Sequence, residues 1–314
     1  MSKIAITGST GFIGSYLIDH LVENRIKVMS LGRRAHSSCI DHANFELDNP
    51  HELEVDFLGD VDVLIHSAAR AHVMDENEQN PQALYNKLNA EASVELAKKA
   101  IAAGVKRFIY LSSVKVVGER TEPNKPFFQS SPMQPEDDYG RSKALAEVQL
   151  AEVVSGSSME LVIIRPPLVY GPGVKANFAL LMKLAERNYP LPLASISNKR
   201  SMVGLDNLVD LIKVCISAPE AAGQTFFVSD GVDLSTSELL KRMITAYGKK
   251  SRLWRFPPSL LRLAATIIGK RKVADRIFES LQVDISFTQS QLGWTPKYTV
   301  EQQLVKCIGC HSND

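Results

Sequence analysis

Little in this sequence points outside ordinary globular chemistry. There are four cysteines, and only Cys307 and Cys310 lie close together, as Cys307-x-x-Cys310-His311. With no second pair at metal-ligand spacing, no metal site is expected, and the few scattered thiols suit a reducing, cytoplasmic compartment. No apolar run approaches the ~20 residues that span a bilayer. Lys3–Thr7 already reads as a strand, which leaves no room for a leader peptide. Charge of one sign is missing too. Thirty-six Lys and Arg stand against 35 Asp and Glu, for a net charge of +1, so no whole-protein field favours nucleic acid. Internal repeats and low-complexity stretches are absent. What remains is 45% hydrophobic and 23% charged, with chain enough for one large or two modest domains.

The N-terminus opens a strand–turn–helix–strand unit. Lys3–Thr7 is the first strand, Gly8-Ser9-Thr10-Gly11-Phe12-Ile13-Gly14 the turn, and a helix runs to about Glu23 before a strand over Lys27–Leu31. Glycines at this turn let the backbone approach a pyrophosphate, and the helix N-terminus faces that charge. Leu31-Gly32-Arg33-Arg34 ends the second strand. It offers no carboxylate for a ribose 2′-hydroxyl but two guanidiniums for a 2′-phosphate, which tilts an expected NAD(P) cofactor toward NADP. A third strand is expected over Asn44–Leu47, with Asp48 reaching toward an adenine. A fourth covers Val61–Ile65 and leads into small residues, including Ala68, under which a cofactor could pass. His72 is a lone polar histidine just beyond. A helix over 81–103 carries Asn89, and Val105–Ser113 is the fifth strand. Glu119–Asp138 holds four prolines and reads as a loop able to fold over a substrate. Leu161–Ile164 is the sixth strand and runs into Arg165-Pro166.

This alternation implies right-handed crossovers and a Rossmann-type, doubly wound parallel sheet over 1–166. A smaller C-terminal α/β substrate domain over 167–314 would be partly interleaved with it. Gly8, Asp48, Ala68, Ser113 and Pro166 all fall at carboxyl ends of strands, where ligands gather. Farther on, short strands are expected at Lys199–Val203 and Gln224–Ser229, and Ser235-x-x-Glu238 is a capping box. Leu260–Ile268 is apolar and flanked by Arg255, Arg262, Lys270, Arg271 and Lys272. It is too short to cross a membrane, and packing on the small domain competes with lying on a membrane surface over 255–272.

The chemistry centres on Ser113 and on Tyr139-Gly140-Arg141-Ser142-Lys143. Tyr139 and Lys143 are one helical turn apart, so both project from one face. An ammonium about 4 Å from a phenol is worth roughly 4 kcal/mol at an effective dielectric of 20, enough to bring a phenolate within reach of neutral pH. Ser113 can then hold a substrate hydroxyl against the phenol oxygen.

With these residues in place the chain resembles the extended short-chain dehydrogenase/reductase family, in its NAD-dependent epimerase/dehydratase branch. The likeness rests on Thr7-Gly8-x-x-Gly11-x-x-Gly14, Ser112-Ser113, Tyr139-x-x-x-Lys143, Arg165-Pro-x-x-Val-Tyr-Gly171-Pro-Gly and Leu292-Gly293-Trp294-x-Pro296. It implies hydroxyl-orienting, acid/base and electrostatic roles for Ser113, Tyr139 and Lys143. It further implies a UDP-sugar held through Asn177 and Arg200, and a homodimer through the 81–103 and 140–154 helices; Lys115, next to the serine strand, is a further candidate substrate contact. The implied activity is 4-epimerisation in surface-polysaccharide synthesis. Reduction of a 4-keto sugar and epimerisation of a lipid-diphosphate-linked sugar are alternatives, as is a non-catalytic NADP-binding regulator. Lys115, Val117 and Leu168 depart from the family's usual residues at their positions, which bears on the identity of the sugar.

Overall fold

Lys3–Thr7 (β1) carries Ile4, Ala5 and Ile6 with almost no exposure on either face, the signature of a strand covered by helices on both sides. The computed structural model describes residues 3–71, 80–122, 124–269, 275 and 277–311. In it β1 is central to a seven-stranded, wholly parallel sheet. Its neighbours are Lys27–Leu31 (β2) on one side and Val63–His66 (β4) on the other. Asp41–Ala43 (β3) lies outside β2, and Arg107–Leu111 (β5), Glu160–Arg165 (β6) and Thr225–Phe227 (β9) complete the order 3-2-1-4-5-6-9. The order reverses between β1 and β4, so a crevice opens at their carboxyl ends. Three helices of the sheet layer are Phe12–Glu23 (α1), Ala92–Ala102 (α3) and Asp138–Val154 (α4).

The third strand is Asp41–Ala43, not Asn44–Leu47. It is an edge strand only three residues long, and its pairing partner Leu31 ends β2, so the ladder stops before the apolar Phe45 and Leu47 are reached. The helix expected over 81–103 is interrupted as well. Pro81–Tyr85 (α2) gives way to a π-turn over Asn86–Glu91 before α3 resumes. Such turns widen the helix at one point and cluster at functional sites; this one carries Asn89.

Beyond β6 the chain builds a second unit. Leu168–Tyr170 (β7) pairs in parallel with Met202–Gly204 (β8). The helices of this stretch are Ala176–Arg187 (α5), Leu205–Ser217 (α6), Thr236–Ala246 (α7), Pro258–Ile267 (α8), Ser286–Leu292 (α9) and Val300–His311 (α10); α5, α7 and α10 pack together, α6 lies between the pair and the large sheet, and α9 lies on β9. Tyr170, Phe178, Met182, Leu240, Met243 and Leu304 form one buried core there. Ser235 and Glu238 close the capping box that starts α7. Asp230 joins the parts, accepting hydrogen bonds from Tyr170 (2.7 Å), Gly204 N (3.0 Å), Asn207 (2.8 Å) and Gln303 (3.1 Å). β9 then returns to the large sheet, so the two units interleave. The 119–138 loop is tied to residues 280–284: Thr121 N donates to Ser280 O and Phe127 N to Gln282 O, each at 2.8 Å.

Candidate active site

The turn after β1 is drawn tight enough to exclude every side chain but hydrogen. Gly8 has φ +68°, and a Cβ there would meet Ala68 N at 2.9 Å; a Cβ on Gly14 would lie 2.2 Å from Gly8 O. These contacts bring the Gly8–Gly14 turn against the Ser67-Ala68 backbone that follows β4. Gly11 caps α1 without a side-chain hydrogen bond, leaving the first-turn N–H groups to an anion. Nearby, the buried Ser9 hydroxyl has no partner among the described residues. A Cβ on Gly32 would lie 3.0 Å from it, so this donor sits where the ends of β1 and β2 meet. Phe12 and Ile13, both half-buried, enter the same helix. Such a cradle of close backbone, free N–H groups and an orphaned hydroxyl fits a dinucleotide.

Beneath it runs a buried relay. Ser67 N and Ala68 N donate to Thr7 Oγ1, whose hydroxyl is 2.6 Å from His66 Nδ1. The hydroxyl therefore donates to Nδ1, and Nε2–H donates to Ser93 (2.8 Å), whose own hydroxyl donates to Asn89 O. Burial holds the His66 pKa down from 6.5 to about 3. The unfolded chain takes up this proton near its ordinary pKa and the folded chain only near 3, so acid favours unfolding between those values. Stability should fall by roughly 2–3 kcal/mol between about pH 7 and pH 4.5 through this group alone. Urea titrations at the two pH values should show that loss diminished in His66→Gln; an unchanged pH slope in the variant would refute the assignment.

Asn89 locks the neighbouring strand end to α4. Its Oδ1 accepts from Arg70 N (2.8 Å), and its Nδ2 donates to Arg70 O (3.1 Å) and Ser142 Oγ (2.9 Å). α4 begins at Asp137, whose carboxylate accepts from Gly140 N at 2.7 Å. Its first turn lies on the turn after β5, because a Cβ on Gly140 would be 2.7 Å from Lys115 O. Ser113 starts that turn, accepting from Lys115 N at 3.2 Å. Tyr139 packs edge-on against Tyr85, ring centroids 6.4 Å apart. Lys143 is 1% exposed; its Nζ donates to Leu111 O (2.8 Å) and lies 4.4 Å from the Tyr110 ring centroid and 6.0 Å from that of Tyr139. Pro166 O accepts from Val114 N at 3.0 Å, so the end of β6 joins the same edge. Ser113, Tyr139, Lys143 and Pro166 are thus set along the ends of β5 and β6 and the start of α4, with Ala68 at the end of β4 against the glycine turn.

The electrostatics run opposite to the simple expectation. Burial, then Asp137 and Tyr85, push the Tyr139 phenol above its ordinary range, and burial brings Lys143 down to about 7 against a smaller upward pull from Glu147. From the protein's own groups the resting pair is a phenol beside an amine that is largely neutral above about pH 7, and the phenolate is reached when the amine takes up the phenol's proton.

The other expected residues are exposed or engaged within the protein. Lys115 is held by Glu119 (2.8 Å) and Asp137 (2.5 Å), so it braces the start of α4. Arg33 is exposed beyond β2. Asp48 is exposed too, in the loop after β3, on a groove of about 630 Å³ bordered by α3 and α4. Asn177 is exposed in the first turn of α5. Arg200 is bridged through its backbone to Leu234, and its guanidinium donates to Glu279 O at 3.1 Å. His72 falls outside the described residues.

One buried constellation has no counterpart in the sequence reading. Glu147, 2% exposed, accepts from Ser112 Oγ and from Arg165 Nε (3.0 Å) and Nη2 (2.5 Å). Its signal was present as a third position at i+4 along α4, after Tyr139 and Lys143. Its partner is eighteen residues away, and only the fold brings them together.

The sequence profile of the NAD dependent epimerase/dehydratase family matches residues 4–228. The chain belongs to this family. It is accordingly an NAD-dependent enzyme of the short-chain dehydrogenase/reductase type. It is 46% identical over 306 residues to a UDP-glucose 4-epimerase of Vibrio cholerae, covering 96% of this chain and 92% of that protein. Among solved structures, UDP-glucose 4-epimerase of Thermotoga maritima, seen with UDP-glucose, superposes with a TM-score of 0.78 at 21% identity, covering 99% of each chain. WbmG of Bordetella bronchiseptica, seen with NAD, does so at 0.75 and 20% identity, covering 99% of this chain and 94% of that one.

Proposed function

We propose that this family member interconverts UDP-linked sugars epimeric at C4, with UDP-glucose and UDP-N-acetylglucosamine as first candidates. Lys143, Tyr139 and Ser113 carry the reading: a buried amine one helical turn from a phenol, beside a serine at a strand end. The dinucleotide, when bound, supplies the hydride acceptor and donor. Lys143 first takes the proton of the Tyr139 phenol and, as an ammonium, stabilises the phenolate; Tyr139 then takes the proton of the C4 hydroxyl, which Ser113 orients. The 4-keto sugar turns over in the pocket, and Tyr139 returns the proton when hydride reaches the other face.

We assign the dinucleotide to the Gly8–Gly14 cradle, with Asp48 toward the adenine and Asn89 holding the strand end beneath the nicotinamide side. The exposed Arg33 and Arg34, with no acid at the end of β2, favour a 2′-phosphate and hence NADP. The second unit, from residue 167 onward, would receive the nucleotide through Asn177 and Arg200, the guanidinium gripping a diphosphate. A homodimer would use α3 and α4, where Val148 stays 46% exposed.

The test is to supply UDP-glucose or UDP-N-acetylglucosamine and follow the C4 epimer by proton NMR while recording absorbance of the reduced dinucleotide. Interconversion with no net consumption of reductant is expected. Stoichiometric oxidation of NAD(P)H by a 4-keto sugar, with no epimer formed, would replace this reading by a reductase.

A further inference from the structure

Helix α8 turns its apolar stripe outward. Leu260, Leu263 and Ile267, at i, i+3 and i+7, are 49%, 57% and 76% exposed, and Ile268 is 67% exposed. A helix of a soluble domain ordinarily buries such a stripe. Trp254, on the segment leading into the helix, is 48% exposed although its backbone is pinned: its N–H donates to Leu191 O at 3.0 Å and its carbonyl accepts from Ala194 N at 3.1 Å. Its ring meets Phe256 edge-on at 5.5 Å. Ordered backbone thus presents a large amphipathic ring to solvent.

The charge around this stripe is segregated. From Leu239 to Ala274 the sequence holds ten Lys and Arg and no Asp or Glu; the other 26 cations face all 35 carboxylates. Lys249, Lys250, Arg252, Arg255 and Arg262 are exposed. In a chain of almost zero net charge, the segment leading into α8 and the helix itself thus carry exposed cations and no carboxylate of their own beside the apolar stripe and the exposed tryptophan; Arg262 also lies 3.7 Å from Asp275.

We infer that α8 and the segment before it dock this enzyme on an anionic phospholipid surface, the apolar stripe and Trp254 entering the headgroup boundary and the arginines and lysines meeting lipid phosphates. Each feature matches interfacial helices: an apolar face, a basic surround and an aromatic ring at headgroup depth. A second copy of the chain is a poorer occupant, since it would set one cationic surface against another. A helix of ten residues cannot span the bilayer, so the contact is peripheral. It holds the enzyme at the membrane whichever sugar it acts on.

The test is flotation of the full chain with vesicles of phosphatidylcholine alone or with a third phosphatidylglycerol. Binding is expected to the anionic vesicles only, with release at about 1 M salt, where the screening length falls to ~3 Å. Arg252→Gln with Arg255→Gln should weaken partitioning roughly 30-fold, about fivefold per basic residue near the surface. Leu263→Glu with Ile267→Glu should abolish it, with an unchanged urea unfolding midpoint as the control for folding. Fluorescence gives a second readout, because Trp294 is buried (3% exposed) and Trp254 is not: a blue shift on adding anionic vesicles should vanish in Trp254→Phe. Absence of flotation, equal binding to pure phosphatidylcholine, or a wild-type oligomer that the double-Glu variant dissolves would each overturn the assignment.

Discussion

Tyr139→Phe is expected to bind dinucleotide as the wild type does and to turn over about 10²- to 10⁴-fold more slowly, the usual worth of a positioned proton-transfer group. The substitution deletes one oxygen and leaves the ring that packs on Tyr85. Lys143 keeps its hydrogen bond to Leu111 O, so the amine stays in place while the proton acceptor is lost. The state of Lys143 makes the consequence specific. With Lys143 pushed down to about 7, the amine is largely neutral above that pH and can receive the phenol's proton; with the phenol gone there is nothing for it to accept. Titration of dinucleotide fluorescence should give matching affinities, and single-turnover kinetics should show the loss in the chemical step. Undiminished turnover in the variant would remove Tyr139 from the mechanism.

Glu147→Gln should destabilise the fold by about 3–5 kcal/mol, because it leaves Arg165 charged and buried without its counter-ion. Both side chains are at most 6% exposed, so solvent offers little compensation. Exchanging the pair for apolar residues of similar size, Glu147→Leu with Arg165→Met, should come out near neutral or better, since desolvating both charges costs about as much as their attraction returns. Urea unfolding of wild type, single and double variants separates these outcomes. A single variant within about 1 kcal/mol of wild type would mean that Arg165 finds another partner. The double variant should still lose activity. Glu147 also accepts from Ser112, next to Ser113, and its charge opposes the fall in the Lys143 pKa.

What was legible in the sequence was local. The glycine spacing after β1, the Tyr–Lys interval in α4 and the Ser235–Glu238 box are each contained within one turn or helix, and the tight turn, the shared helix and the cap form as expected. The alternation of strands and helices likewise anticipated the parallel sheet and its site-bearing edge. Effects that depend on what lies across the fold were not legible. The strand expected at Asn44–Leu47 sits three residues earlier because its ladder is set by β2. Lys115 is drawn to Asp137, 22 residues on, and so braces a helix. The acidic phenol expected beside an ammonium failed because spacing reports the neighbour but not the burial, and here burial outweighs the neighbour. Glu147 and Arg165 each look like ordinary surface charge until β6 is laid beside α4.

The return of β9 has a bearing on how the chain is made. β6 forms at residues 160–165, but the strand that covers its outer edge, pairing Ile163, Ile164 and Arg165 with Thr225, Phe226 and Phe227, comes some sixty residues later. At ~5–20 residues per second on the ribosome, the apolar edge of β6 stays unpaired for roughly 3–12 s while β7, α5, β8 and α6 are still being synthesised. Nascent chains arrested in that interval should be the species that chaperones hold, and a fragment ending near residue 166 should precipitate.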